Sequence, residues 1–137
     1  VSEDEHSPND LDKLREIERH LIDPEFMMKL FEDFTDAIIV VNSEGKIQLA
    51  NKQAELLFGF PRSELFDHRI EMLMPTAFRD QHAHYRALYA KEPVARQMGR
   101  GRQIMGAHKD GHEIRVEVVL NPIVLTKGLV IVATIRR

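Results

Sequence analysis

Apolar residues recur along the chain with two different periods, and the switch between them outlines the fold. Leu11, Leu14, Ile17 and Leu21 follow one another at three- and four-residue spacing, with Glu16, Glu18 and Arg19 between them: a narrow stripe on one helix. Asp23-Pro24-Glu25 then offers a cap, a first-turn proline and a first-turn acid to a second short helix carrying Phe26, Leu30 and Phe31. Ala37-Ile38-Ile39-Val40-Val41 is a β-branched run suited to a buried strand. Ser43-Glu44-Gly45 is turn chemistry, and Ile47 and Leu49, alternating with Lys46 and Gln48, make the returning strand of a hairpin. Asn51 is placed to cap a helix whose Ala54, Leu57 and Phe58 share a face, with Gly59 to stop it and Pro61 to block its continuation. Residues 63–66 predict another helical turn. Pro75 and Thr76 introduce a longer helix to about Ala90, with Thr76 as its cap.

The final third changes to period two. Residues 98–108 predict one strand, bent at Gly99, Gly101 and Gly106. Asp110-Gly111 marks a hairpin, after which Ile114, Val116, Val118 and Leu120 alternate with polar neighbours. Pro122 is expected to end that strand, and residues 129–135 form the last one. Hairpin-linked strands pair antiparallel, and the intervening helices must cover one face. The expected fold is therefore α+β: a five-stranded antiparallel sheet with helices on one face, preceded by an N-terminal amphipathic helix. The expected division is a disordered end over 1–9, a helical segment over 10–33 that could dimerise, and a body over 34–137.

Composition narrows the chemistry. The 137 residues contain no cysteine, which excludes disulfide scaffolds, thiolate metal sites and thiol nucleophiles. A net charge of −3 argues against a nucleic-acid partner. The charge is uneven: residues 1–36 carry 12 acidic and 4 basic side chains, and the remainder 10 and 15. The first segment therefore differs in role from the body. No apolar run is long enough to span a bilayer and no leader pattern opens the chain, so a cytoplasmic location and no membrane partner are expected.

The stretch Asp36-Ala37-Ile38-Ile39-Val40-Val41, with Gly45-Lys46-Ile47, Ala50-Asn51 and Ala54-Glu55-Leu56-Leu57-Phe58-Gly59-Phe60, resembles the opening of a PAS sensor domain. Met74-Pro75, the segment 96–102, Lys109-Asp110-Gly111 and Glu117 resemble its second half, in the family's order. The resemblance covers about 36–137. It implies a sensory or interaction module, non-catalytic in itself, within a larger bacterial signalling protein of the two-component kind. A kinase, cyclase or transcription regulator would be the covalently linked output domain. It also implies a homodimer, for which Leu11, Leu14, Ile17 and Leu21 are the candidate seam; the alternative is that this helix packs on its own sheet.

His82 carries the sharpest chemical hypothesis. Phe78, His82, Tyr85 and Tyr89 fall on one helical stripe, and His84 lies about 200° away from His82. Residues 78–82 with Gly99-Arg100-Gly101-Arg102 resemble haem-binding PAS domains of bacterial oxygen-sensing kinases. That resemblance implies His82 as axial iron ligand and Arg102 beside a bound gas. Tyr85, Leu88, Val118 and Leu120 would then line the same chamber. Arg96 and Gln97 depart from those sensors, which carry histidine and isoleucine at these places. The other reading makes His82 a core histidine bonded to a carbonyl, with no cofactor required. Strand register bears on Arg102. A two-residue turn at Asp110-Gly111 sets it opposite Val119 and outward. A three-residue turn at Lys109-Asp110-Gly111, the favoured version, sets it opposite Val118 and inward. An inward arginine needs an acceptor: an anionic ligand, a bound gas or a buried carboxylate. His108 and His112 flank the hairpin and could approach one another, but with no carboxylate at fixed spacing a metal is not expected. Asp80, Glu113 and Glu117 read as surface charges. No activated nucleophile or acid–base pair emerges, so an enzyme is the third-ranked class, behind the cofactor-free dimeric signalling module and the haem gas sensor.

Overall fold

The structure, a computed structural model, describes residues 7–94, 96–98 and 104–137. The chain divides into two units, Val1–Glu32 and Asp33–Arg137.

The first unit contains helix α1, Pro8–Leu21, and most of α2, Pro24–Asp33. Helix α1 starts earlier than its apolar stripe suggested. Ser7 Oγ accepts the N–H of Asp10 at 3.2 Å, and Pro8 occupies a first-turn position where a missing N–H costs nothing. Of the end expected to be disordered, residues 1–6 lie outside the described residues, and Pro8 and Asn9 are helical. Asp23 caps α2 as expected, its Oδ1 accepting the N–H of Phe26 at 2.7 Å. Leu11, Leu14, Ile17 and Leu21 run along α1 and are left uncovered within this unit.

The second unit is an antiparallel sheet with helices on one face. Strands β1 (Ala37–Asn42), β2 (Ile47–Ala50), β3 (Arg96–Met98), β4 (Ile104–Ala107), β5 (Glu113–Leu125) and β6 (Gly128–Arg136) are ordered β2-β1-β6-β5-β3, with β4 also on β5. Since β3 and β4 lie along the same edge of β5, the sheet has the five strand positions expected. The single strand expected over 98–108 is instead two segments with different register. Met98 pairs with Val118, whereas Ile104 pairs with Val116.

The β4–β5 turn is the three-residue one. His108 N–H donates to the His112 carbonyl at 2.9 Å, and Gly111, with φ of 97°, occupies the left-handed position such a turn needs. Met98 stands opposite Val118; Arg102, expected there, lies outside the described residues, as do Gly99 and Gly101. Pro122 does not end β5, which continues to Leu125 paired with β6. An antiparallel ladder draws on the N–H of alternate residues, and on the other edge the β3 pairing extends only to Leu120, so a proline is tolerated there.

The inner sheet face consists of alternate residues: Ala37, Ile39 and Val41 on β1, Ile114 and Val116 on β5, and Ile131, Ala133 and Ile135 on β6, all buried. Helix α3 (Lys52–Phe58) sets Ala54 and Phe58 against them, and α4 (Arg62–Leu65) sets Leu65. Asn51, fully buried, ties this cover to the sheet. Its Oδ1 accepts from Ile38 N–H at 2.9 Å and Ala54 N–H at 3.0 Å, and its Nδ2 donates to the Asp36 carbonyl at 3.0 Å. Two 3₁₀ turns, Ile70–Leu73 and Thr76–Phe78, lead into α5, Arg79–Lys91. Thr76 therefore caps no α-helix, and Phe78 precedes α5 with 46% of its surface exposed. The anchor at this helix start is Arg79, whose Nε donates to the Met74 carbonyl at 3.0 Å.

Candidate functional site

Helix α5 spans the concave sheet face without filling it. Between them lies a cavity of about 530 Å³, within the range of small-molecule sites. Its floor includes Val116, Val118 and Leu120 of β5 and Ile131 and Ala133 of β6; its walls include Phe58, Leu73, His82, Arg86 and Tyr89. The strand residues reach it because period-two alternation sends Ile114, Val116, Val118 and Leu120 to one face. The helix residues reach it because positions 82, 86 and 89 recur at four- and three-residue spacing.

The polar wall is organised by Glu71, a carboxylate buried in the apolar run Ile70–Leu73. Its Oε2 lies 2.7 Å from His82 Nδ1, and Arg86 Nε and Nη2 each reach it at 3.0 Å, on Oε2 and Oε1 respectively. The side chains of Glu71, Arg86 and His82 are 7%, 16% and 28% exposed. Burial pushes the Glu71 carboxyl up. The hydrogen bonds and charges of Arg86 and His82 outweigh burial and hold it below its ordinary value. Across the chain fold, Arg86 covers Gly45, whose φ of 78° places it in a left-handed turn and whose missing Cβ leaves room for the guanidinium. Tyr89 OH donates to the Val94 carbonyl, fixing the far end of α5.

His82, Tyr85, Val118 and Leu120 all line the cavity; Tyr85 is also 57% exposed. Leu88 lies outside the lining, on the solvent side of α5, and Arg102 lies outside the described residues. Of the expected stripe His82, Tyr85 and Tyr89 line the cavity, joined by Arg86, whereas Phe78 precedes α5 and lies outside the lining. His84 is outward as expected. The partner of His82 is a carboxylate, not a carbonyl. Sequence reasoning missed Glu71 and Arg86. The available signals were a lone acid inside an apolar run and an arginine one helical turn after His82. Arg86 is itself a largely buried arginine that finds its acceptor in the buried Glu71 carboxylate. Among the charges expected at the surface, Asp80 and Glu113 are exposed and Glu117 is half-buried, 3.6 Å from Arg136.

A second cluster sits on the β4–β5 hairpin. The His108 and His112 rings stack with centroids 4.6 Å apart, and the Nδ1 of each faces Asp110 Oδ1, His108 at 3.1 Å. The carboxylate absent from the sequence-based view of this pair is thus the central residue of the turn.

The pattern of the PAS fold family matches residues 25–137. Among curated proteins, the sensor protein FixL of Bradyrhizobium diazoefficiens is 31% identical over 103 residues, 74% of this chain and 20% of that protein. The oxygen sensor protein DosP of Escherichia coli is 28% identical over 85 residues, 62% of this chain and 11% of that protein. The chain spans a fifth or less of the length of these two relatives. Among solved structures, the PAS domain of an HTR-like protein from Haloarcula marismortui superposes with a TM-score of 0.68 at 20% identity, covering 82% of this chain and 94% of that one. At that identity the likeness concerns the fold. Among the described residues, no helix is long and apolar enough to cross a membrane.

Proposed function

Because the chain belongs to the PAS fold family, we propose that its body is the sensory module of a longer signal-transduction protein. In this reading the cavity between α5 and the sheet takes a small ligand, and the flanking helix α1 passes the ligand state to an output domain across a homodimer. The observation that carries it is the cavity of about 530 Å³ whose lining draws on both layers, so an occupant touches sheet and helix at once. A ligand relays a signal only if it favours one arrangement of those layers over another. The apolar stripe Leu11–Leu14–Ile17–Leu21 supports the dimer seam, since a stripe of this width needs a cover. The test is light scattering on the chain and on a Leu14→Glu/Leu21→Glu variant. A wild-type dimer that becomes a folded monomer supports the relay; a wild-type monomer at high micromolar concentration removes it.

A second reading is a haem-based gas sensor, favoured by the setting of His82. Its Nδ1 is engaged by Glu71, which leaves Nε2 for an iron, and a carboxylate behind a ligating imidazole is the usual orienting partner. The residues present therefore fit one axial ligand. Haem, when bound, would supply an iron able to take a diatomic gas. Glu71 and Arg86 would hold the imidazole's orientation, and Val118, Leu120 and Ile131 would keep water from the ring face. The name of DosP, an oxygen sensor, supports this reading. Absorbance after haem supplementation decides it: a Soret band that His82→Ala removes supports it, and no band in the wild type eliminates it.

A further inference from the structure

We propose that the β4–β5 hairpin holds a divalent transition-metal ion, of the zinc class, through His108, Asp110 and His112. The three residues offer two imidazole nitrogens and one carboxylate oxygen, all within 4.8 Å of one another. That is the donor set zinc takes with an open fourth position. Two donors bound about 2.05 Å from one tetrahedral ion stand roughly 3.4 Å apart. His108 Nδ1 and Asp110 Oδ1 already stand 3.1 Å apart, within a few tenths of an ångström of that spacing, and an ion would replace the Asp110 N–H that His108 Nδ1 now accepts at 3.2 Å.

The hairpin builds this convergence. The three-residue turn makes positions 108 and 112 cross-strand neighbours, through the His108 N–H to His112 carbonyl bond of 2.9 Å. Asp110 is folded back by accepting the His112 N–H at 3.0 Å. The Cε1–Nε2 edge of the His108 ring packs over Gly59, where a Cβ would collide with it, so Nδ1 is the nitrogen turned to the cluster. The His112 ring is 51% exposed and its Nδ1 already faces Asp110 Oδ1, so a turn of the ring about its Cβ–Cγ bond out of the stack would be needed for it to join the ion. Lys109, the one cation in the turn, is drawn away to Glu64 at 2.8 Å. The hairpin also donates the Lys109 N–H to the Phe58 carbonyl at 2.9 Å, and Phe58 and Gly106 line the cavity, so a metal here stiffens one cavity wall.

The test is zinc titration by calorimetry on tag-free chain stripped with chelator. One ion per chain is expected, with affinity lowered about tenfold or more in Asp110→Asn and in His112→Ala. His84→Ala, on the outward face of α5, should bind as the wild type does. Circular dichroism identifies any variant that has unfolded, and two independent ligand variants guard against that loss. No saturable binding in the micromolar range, or wild-type affinity in both Asp110→Asn and His112→Ala, overturns the proposal.

Discussion

Glu71→Gln keeps the volume of the side chain and removes its charge. The carboxylate now accepts from His82 Nδ1 at 2.7 Å and from Arg86 Nε and Nη2 at 3.0 Å. A glutamine has one acceptor oxygen and a donor amide, so one of these partners must face an N–H₂ group. With Arg86 only 16% exposed, water cannot fully replace the lost counter-charge. Breaking a buried pair in this way costs 3–5 kcal/mol, and the partial exposure of Arg86 and His82 sets the expectation at about 3 kcal/mol. For a unit of roughly 100 residues that is a fall in Tm of roughly 15 °C. Glu64→Gln is the comparison, because its 2.8 Å pair with Lys109 is nearly half exposed and should cost less than about 1 kcal/mol. Urea denaturation followed by circular dichroism measures both.

The pH dependence has a definite sign. The folded Glu71 carboxyl lies below its ordinary value of 4.5, so its stabilisation is complete above that value and is lost as pH falls through the lowered folded value. The advantage of wild type over Glu71→Gln should be full near neutrality and shrink in acid. Equal stability of the two proteins at neutral pH, or a gap that widens on acidification, would refute the role given to this carboxylate.

Three further outcomes follow from packing. Asn51→Ala removes a helix cap and strands the part-buried Ile38 N–H, for an expected loss of about 2 kcal/mol by the same denaturation assay. Gly45→Ala meets a left-handed φ of 78° and displaces Arg86. It should cost more than about 2 kcal/mol in the wild type but only about 1 kcal/mol in an Arg86→Met background, a coupling that a double-mutant cycle reads directly. Ala133→Leu extends from the buried floor into the cavity, so it should cost under about 1 kcal/mol, where a filled core would charge 1–3.

How much was legible in advance depends on the distance over which each feature is encoded. The caps at Asp23 and Asn51, the stop at Gly59, and the alternation from Ile114 to Leu120 rest on residues a few positions apart, and each formed as expected. Their order was enough to reach the sheet and its helical cover. The family resemblance marked His82, which lines the chamber. Features that depend on what stands opposite escaped. Pro122 stays in β5 because of its position in the ladder, and the segment read as one strand is split because β3 and β4 pair with β5 in different registers. Glu71, His82 and Arg86 meet across 11 and 15 residues of chain, on two elements with no common period. Asp110 joins His108 and His112 only once the turn folds it back. Local pattern is written into neighbouring residues because backbone geometry repeats every two or 3.6 positions; the meeting of charges inside the fold is not, because packing between elements sets it.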